Sequence, residues 1–295
     1  MRIAVTGASG FIGRELVSCA REHGHAVAQV SRSLTPGLDY EDAQALAHAF
    51  TGADVVVHLA ARAHVRGDDA DFERNVRSAR AVTQAAQAAG VRRIALLSSI
   101  GVNGNVTHAR PFTEADAPAP VEAYARSKLR AELEVRAGTV EWVIVRPPLV
   151  YGANAPGNFA RLVHAVARGW PLPLAAVQNL RSLVGVRNLC ELILACATQA
   201  DAARQLFLAA DGDDLSTPDI LRCVAHGLGK PARLWSPPVP LLKAGAALAG
   251  ATRIAESLCA SLQVDASQAR RILGWVPATD SHEGIRRAAA GWKFA

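Results

Sequence analysis

The first thirteen residues limit what this chain can fold into more than any other segment. Residues 2–6 form a short apolar run typical of a buried strand, Gly7, Gly10 and Gly13 follow, and a helical pattern continues to about Glu22. A strand, a glycine turn and a helix in this order are typical of dinucleotide-binding folds, because the helix N-terminus attracts the pyrophosphate. The alternative is a glycine-rich turn without a ligand. The residues predicted to hold NAD(P) here are Gly7, Gly10, Phe11, Ile12 and Gly13.

Strand-like and helix-like segments alternate through the first half of the chain. The further strand-like segments are residues 26–30, 55–59, 93–98 and 142–146. This alternation predicts an α/β fold with a doubly wound parallel sheet of the Rossmann type. Beyond Gly152, glycine and proline become frequent and the alternation stops, although residues 205–209 again resemble a strand. We therefore expect a dinucleotide-binding domain over residues 1–152 plus about 182–212, and a smaller, mostly C-terminal substrate lobe over about 153–181 and 213–295.

The end of the second strand bears on which dinucleotide is bound. A cofactor with a free ribose 2′-hydroxyl usually meets an Asp or Glu at this point, but the sequence has Arg32 between two serines. Arg32 is suited to a 2′-phosphate, which favours NADP(H). A solvated arginine is the alternative, so the choice between NAD and NADP stays open. The further predicted cofactor contacts are Arg32, Asp39, Leu59, Ala60, Ala61, Asn75 and Ser98.

A tyrosine and a lysine, Tyr124 and Lys128, lie four residues apart in a predicted helix and therefore share one face. A free tyrosine has a pKa of about 10, and bringing it near 7 takes roughly 4 kcal/mol. One ammonium at about 4 Å supplies on the order of 4 kcal/mol at an effective dielectric of about 20. Ser99, after the fourth strand, is placed to hydrogen-bond the oxygen that exchanges its proton with Tyr124. We predict that these three residues are catalytic, and that Tyr124 and Lys128 also contact the cofactor.

In this order, the segments resemble the extended short-chain dehydrogenases/reductases of the nucleotide-sugar epimerase/dehydratase group. The shared motifs span nearly the whole chain and are residues 7–13, 98–104, 124–128, 146–152, 181–188 and 273–277. Residues 102–104, 111–114, 157–159 and 181–184 resemble a UDP-glucose 4-epimerase-like branch, which includes UDP-4-keto-6-deoxy-HexNAc reductases of O-antigen (lipopolysaccharide) synthesis. The resemblance implies that Asn158 and Arg181 bind the diphosphate of a UDP-sugar, and that Ser99 and Tyr124 contact the sugar.

Departures from the family pattern narrow the expected chemistry. The 4,6-dehydratases of this family carry Asp-Glu after the catalytic Ser or Thr, whereas Ile100 and Gly101 stand here and cannot act as acid or base. The 3,5-epimerases of the fucose-synthase type use a cysteine at the position of Gly101. The usual tyrosine after Val102 is Asn103, and the usual acidic residue after Arg187 is Asn188. The reaction that remains is the exchange of a hydride and a proton at one carbon, and the resemblance implies that this carbon is C4.

Two reactions at C4 use the same three catalytic residues. We favour reduction of the 4-keto group of a UDP-6-deoxy-HexNAc-type sugar, because of the smaller motifs that resemble such reductases. The lack of an acidic residue directly after the second strand agrees, since a reductase exchanges its cofactor at every turnover. The alternative is a UDP-sugar 4-epimerase with tightly bound NAD. A non-catalytic NAD(P)-sensing protein on the same fold fits less well, because Ser99, Tyr124 and Lys128 are all present.

Composition restricts the partners and the compartment. The net charge of +6 is spread over the chain without a basic run that contains aromatic residues, so no nucleic-acid partner is predicted. The five cysteines form no C-x-x-C motif, which indicates a reducing cytoplasm. His23 and His25 have no Cys or carboxylate partner in the sequence pattern, so no metal is expected.

The longest apolar segment, residues 239–262, is interrupted by Lys243, Arg253 and Glu256. It is too polar to span a bilayer, so we predict a core-facing helix and no membrane partner. The resemblance implies a homodimer in which the Tyr124 helix and an alanine-rich helix over about residues 71–89 pair across a two-fold axis.

Overall fold

The computed structural model of this chain describes residues 1–36, 38–63, 67–238, 240, 247 and 252–294. The strands are β1 (Arg2–Thr6), β2 (Ala26–Val30), β3 (Val55–His58), β4 (Arg93–Leu97), β5 (Glu141–Arg146), β6 (Leu149–Tyr151), β7 (Leu183–Gly185) and β8 (Gln205–Leu208). The helices are α1 (Phe11–Glu22), α2 (Ala43–Ala49), α3 (Asp69–Ala88), α4 (Ala123–Ala137), α5 (Asn158–Ala167), α6 (Val186–Thr198), α7 (Thr217–Gly227), α8 (Thr252–Cys259), α9 (Ser267–Leu273) and α10 (Ser281–Ala290).

Six strands form one parallel sheet in the order β2-β1-β3-β4-β5-β8. The predicted doubly wound α/β fold is confirmed, and β8 rejoins the sheet beside β5 as expected. The chain adds β2 on one side of β1 and the later strands on the other. This reversal opens a crevice at the carboxyl ends of β1 and β3, which is where doubly wound folds bind ligands.

Helices cover both faces of the sheet, which explains why the central strands β3 and β4 are apolar except at His58 and Arg93. Every residue of β3 and β4 is buried, whereas the edge strand β2 is mostly exposed or half-buried. One face packs against α1 and α6 and the other against α2, α3 and α4. The glycine turn and the Tyr124 helix therefore enter the same crevice from opposite faces.

A third apolar cluster lies outside the six-stranded sheet. It is built from α5, α7 and α10 around Phe159, Leu221 and Ile285, beside the short parallel pair of β6 and β7. The boundaries between a dinucleotide-binding domain and a substrate lobe remain a prediction. In the apolar segment 239–262, α8 is helical, while residues 239, 241–246 and 248–251 lie outside the described residues. None of the helices found in the described ranges is long and apolar enough to cross a membrane.

Arg93 joins the sheet to α6 at the end opposite to the crevice. Arg93 is 1% exposed. Its guanidinium donates to the carbonyl of Cys196 in the last turn of α6 and to those of Gln199 and Ala200, which follow this helix. It also forms an ion pair with Glu141 at 2.9 Å. Helix C-termini leave carbonyls without partners, so a buried cation at this position satisfies them.

We expect Arg93→Met to destabilise the chain by about 3 kcal/mol, because it leaves buried carbonyls without donors. The neighbouring Arg92→Met is the matched control, since Arg92 is 42% exposed and approaches the same Glu141 only at 3.6 Å. Arg92→Met should lower the free energy of unfolding by less than about 1 kcal/mol. Urea unfolding followed by circular dichroism measures both, and equal midpoints for the two variants would contradict the role given to Arg93.

Candidate active site

The glycine turn leaves no room for side chains at Gly7 and Gly13. Gly7 has φ +73°, and a Cβ there would lie 2.9 Å from the amide nitrogen of Ala60. A Cβ at Gly13 would lie 2.2 Å from the carbonyl oxygen of Gly7. The turn therefore fits the close backbone approach that a pyrophosphate needs.

Helix α1 begins at Phe11 directly after this turn, and Gly10 gives no side-chain cap. The first-turn amides of Phe11, Ile12 and Gly13 therefore remain available for an anion. The side chain of Phe11 points elsewhere, because its Cζ would lie 2.8 Å from a Cβ at Gly152. The predicted contribution of Phe11 is thus limited to its backbone.

The end of β3 lies directly against the glycine turn. The Thr6 hydroxyl accepts a hydrogen bond from the Ala60 amide at 3.3 Å and contacts His58 Nδ1 at 2.7 Å. Burial, with a smaller effect of Lys128, lowers the pKa of His58 to about 3, so this imidazole is neutral at pH 7. The backbone at the predicted contacts Leu59, Ala60 and Ala61 is therefore fixed by uncharged groups.

Tyr40 connects the glycine turn to the end of β2, and the sequence analysis missed it. Its hydroxyl donates to the Val30 carbonyl at 3.0 Å and accepts from the Gly7 amide at 3.1 Å. The Arg32 guanidinium lies 5.2 Å from the Tyr40 ring centre, and 3.9 Å separates Arg32 from the Asp39 carboxylate. Arg32 and Asp39 thus lie together at the β2 side of the crevice, with Tyr40 between Arg32 and the turn, and their contact with a cofactor remains a prediction.

Asn75 holds the chain after β3 and the start of α4 together. Its side chain accepts from the Arg62 amide at 2.7 Å and donates to the Arg62 carbonyl at 3.2 Å and the Ser127 hydroxyl at 3.1 Å. All these bonds are within the protein. A direct contact of Asn75 with a cofactor remains a prediction.

Ser99 lies where the fourth strand meets α4. Its hydroxyl accepts from the Gly101 amide at 3.1 Å and caps a short 3₁₀ turn, Ile100–Val102. A Cβ at Gly101 would lie 3.4 Å from the Ser99 hydroxyl and 3.2 Å from Cβ of Ala125. Ser99 is thereby placed beside the first turn of α4, which carries Tyr124.

The electrostatics of Tyr124 differ from the sequence expectation. Burial raises the pKa of Tyr124 to about 12, and Lys128 is not among the groups that shift it. Burial also lowers the pKa of Lys128 to about 8, against an opposing effect of Glu132. Burial of the phenol is the cause of the raised pKa, and the expected lowering of the Tyr124 pKa by Lys128 is absent in the chain alone. Tyr124 is a neutral phenol whose ring meets the edge of Phe72 at 5.8 Å.

Arg181 and Asn158, the predicted diphosphate contacts, lie outside the sheet. Arg181 donates to the carbonyls of Ser257 at 2.8 Å and Ala260 at 3.1 Å, at the end of α8. Within the described ranges Arg181 forms no ion pair with a carboxylate, so its positive charge is not neutralised. Asn158 begins α5, is exposed, and accepts a hydrogen bond from Arg161 at 3.3 Å.

The departure at Asn188 has a local explanation. Its side-chain amide donates to the buried carboxylate of Asp211 at 2.7 Å and to the Thr279 carbonyl at 2.8 Å. Asp211 also accepts from the Tyr151 hydroxyl at 2.6 Å, and burial raises the pKa of Asp211. An acidic residue at position 188 would place two carboxylates together, whereas an amide satisfies both neighbours.

His23 has partners that the sequence pattern did not indicate. Cys19, His23 and Glu191 bring one possible ligand atom each to within 4.8 Å of one another. However, the Arg187 guanidinium already pairs with Glu191 at 2.9 Å, and burial raises the pKa of the Cys19 thiol to about 12. The sequence prediction that His23 has no Cys or carboxylate partner was therefore wrong. Cys19, His23 and Glu191 form part of an ion-paired contact between α1 and α6.

Hydride chemistry on a bound dinucleotide is the class of reaction that this fold and site define. The chain belongs to the NAD dependent epimerase/dehydratase family, whose model matches residues 3–209. The cofactor class is accordingly NAD(P), and the predicted resemblance is confirmed.

Individual relatives catalyse different reactions. A UDP-glucose 4-epimerase of Vibrio cholerae is 38% identical over 325 residues, which cover 97% of this chain and 94% of the relative. A 2-alkyl-3-oxoalkanoate reductase of Stenotrophomonas maltophilia is 28% identical over 334 residues, which cover 98% and 99%. Among solved structures, a UDP-N-acetylglucosamine 4-epimerase from Bacillus cereus superimposes with a TM-score of 0.81 at 20% identity and covers 98% of each chain. This last likeness shows the fold.

We expect Gly7→Ala to weaken NADH binding by at least about tenfold. A side chain in the left-handed region costs about 1–2 kcal/mol, and the added Cβ displaces Ala60. The control is Gly90→Ala, because Gly90 has nearly the same φ, +69°, but open space around it. It should destabilise the chain similarly and bind NADH normally. Nicotinamide fluorescence measures binding, and equal affinities of the two variants would exclude the turn as the dinucleotide site.

Proposed function

We propose that the chain is a UDP-sugar 4-epimerase that keeps its NAD(H) bound between turnovers. The observation that carries the proposal is the placement of Ser99 beside the start of α4, where Tyr124 and Lys128 lie, with no acid or base at positions 100 and 101. The chain is 38% identical to the Vibrio cholerae 4-epimerase over nearly its full length. This identity favours an epimerase over the reductase that the sequence analysis preferred.

The amides of the glycine turn and of the first turn of α1 would hold the dinucleotide. When bound, it would accept a hydride from C4 of the sugar and return it to the opposite face of the same carbon. Tyr124 would take the proton from the C4 hydroxyl and later give it back, while Ser99 hydrogen-bonds that oxygen. The Lys128 ammonium would stabilise the phenolate, which the buried site alone disfavours.

The sugar nucleotide would lie between the sheet edge and the third apolar cluster. Arg181 carries a positive charge with no carboxylate pair in the described part of the chain, and a diphosphate is a suitable partner for such a guanidinium. Asn158 is exposed at the start of α5 and adds an amide for the same group.

The reductase remains a second candidate because of Arg32. No acidic residue follows β2, and the exposed Arg32 guanidinium suits a 2′-phosphate better than a free ribose. A reductase must release its oxidised cofactor at every turnover, which agrees with a site of this kind. The smaller motifs shared with UDP-4-keto-6-deoxy-HexNAc reductases point in the same direction.

We expect the purified protein to carry bound nicotinamide and to interconvert UDP-glucose and UDP-galactose, or their N-acetyl forms, with no net consumption of NAD(P)H. Tyr124→Phe should lower kcat at least about a thousandfold and leave NADH binding unchanged, because only the proton transfer is removed. Consumption of free NAD(P)H with a 4-keto sugar would establish the reductase instead. A fully active Tyr124→Phe protein would refute both mechanisms.

A homodimer through α3 and α4 is proposed from the family resemblance. Leu133 on the outer side of α4 is 56% exposed, beside ion pairs that join the two helices, such as Arg130 with Glu73. We expect Leu133→Arg to convert a dimer into monomers at micromolar concentration, because it places a charge in the helix contact. Val276→Arg is the control at a similarly exposed site, 55%, away from both helices. Light scattering measures the molar mass of the parent protein and of both variants. A monomeric parent protein would exclude this interface.

A further inference from the structure

One buried carboxylate connects the segments that carry Ser99 and Lys128. Glu132 is 1% exposed and lies one helical turn beyond Lys128 on α4. It accepts the Ser98 hydroxyl at 2.5 Å and the Arg146 guanidinium twice, at 2.8 and 2.6 Å. Ser98 directly precedes Ser99, so the carboxylate fixes the chain at the point where it delivers the catalytic serine.

Arg146 extends this connection to the 3₁₀ turn after Ser99. Its guanidinium is 2% exposed and donates to the Asn103 side chain at 2.9 Å. Asn103, which replaces the usual tyrosine of the family, donates in turn to the Thr113 carbonyl at 3.2 Å. The network therefore joins β4, β5, α4 and the 3₁₀ turn through buried charge-assisted hydrogen bonds, which are stronger than neutral ones.

The same carboxylate favours the charged form of Lys128. Lys128 is 4% exposed, and within the described ranges its ammonium forms no hydrogen bond or ion pair. Burial favours its neutral form, and Glu132 is the group that opposes this effect. The other titratable groups beside Lys128 are Tyr124, a neutral phenol on the preceding turn of α4, and His58 at the end of β3, a neutral imidazole.

We propose that Glu132 is a positioning residue, which keeps Lys128 protonated and holds Ser99 in register with the Tyr124 helix. The role of Lys128 in this statement rests on the proposed function. Arg146 is the counterion that allows a carboxylate to remain charged without solvent. Glu132 thus pairs directly with Arg146 and acts on Lys128 only through space, so its loss affects both cations.

The test uses the small number of lysines in the chain. Lys128, Lys230, Lys243 and Lys293 are the four lysines in the sequence. Labelling of the lysine Cε atoms therefore gives four NMR signals, and Lys128→Arg identifies that of Lys128. In the parent protein this signal should titrate near pH 8. In Glu132→Gln the midpoint should fall by about one pH unit or more, because a neighbouring negative charge is lost.

Activity should follow the same shift. Protonated Lys128 is the active form, so kcat falls as pH rises through the Lys128 midpoint, and the fall should begin at lower pH in Glu132→Gln. Glu132→Asp keeps the charge and should restore the midpoint, with a partial loss of kcat from its shorter reach. Glu134→Gln is the control on the same helix, because Glu134 forms an exposed pair with Arg80 at 2.8 Å. In Glu134→Gln, neither the titration midpoint of Lys128 nor kcat should change.

Loss of the carboxylate also leaves the buried Arg146 unpaired, which is strongly destabilising. If Glu132→Gln does not fold, the double variant Glu132→Gln/Arg146→Met removes both charges. Its Lys128 midpoint should still be low, because Arg146 is not among the groups that shift the Lys128 pKa. An unchanged midpoint in a folded variant lacking Glu132 would overturn the proposal. The titration requires neither cofactor nor sugar, so a failure of the proposed epimerase activity is detected separately.

Discussion

Buried charges are costly unless they are paired, and one such pair organises the carboxyl edge of the sheet. Glu132 and Arg146 face each other at 2.6 Å with almost no exposure. Leaving either one unpaired is strongly unfavourable, so β5 and α4 have to meet in one register. Ser98 and Asn103 use the remaining hydrogen-bonding capacity of the pair. The same interaction that stabilises the interior therefore also sets the distance between the Ser99 segment and α4.

Two other buried polar groups fix the parts of the chain that this pair does not reach. Arg93, at the opposite edge of the sheet, binds the carbonyls after α6. Asp211 joins Tyr151 of β6 to the amide of Gly185 in β7 and to Asn188 in α6. Apolar packing supplies most of the folding free energy, but it is not directional. These hydrogen-bonded groups determine which arrangement of the packed layers forms.

The sequence predicted those features that depend on neighbours along the chain. The buried strands appeared as apolar runs, and the shared face of Tyr124 and Lys128 appeared as a four-residue spacing. It did not predict contacts between distant segments, such as that of Tyr40 with Gly7, 33 residues away. Nor did it predict the pKa of Tyr124, because desolvation depends on the atoms packed around the phenol.

The lack of space at Gly101 restricts how this chain can evolve. A Cβ there would lie 3.2 Å from that of Ala125 and 3.4 Å from the Ser99 hydroxyl. Related enzymes that remove water or invert other carbons carry an acid or a thiol at this position. The contact with the hydroxyl is an ordinary one, but the contact with Ala125 is tight, so a side chain at position 101 requires the first turn of α4 to yield slightly. Gain of such chemistry is therefore easier in a chain that has a smaller residue at position 125.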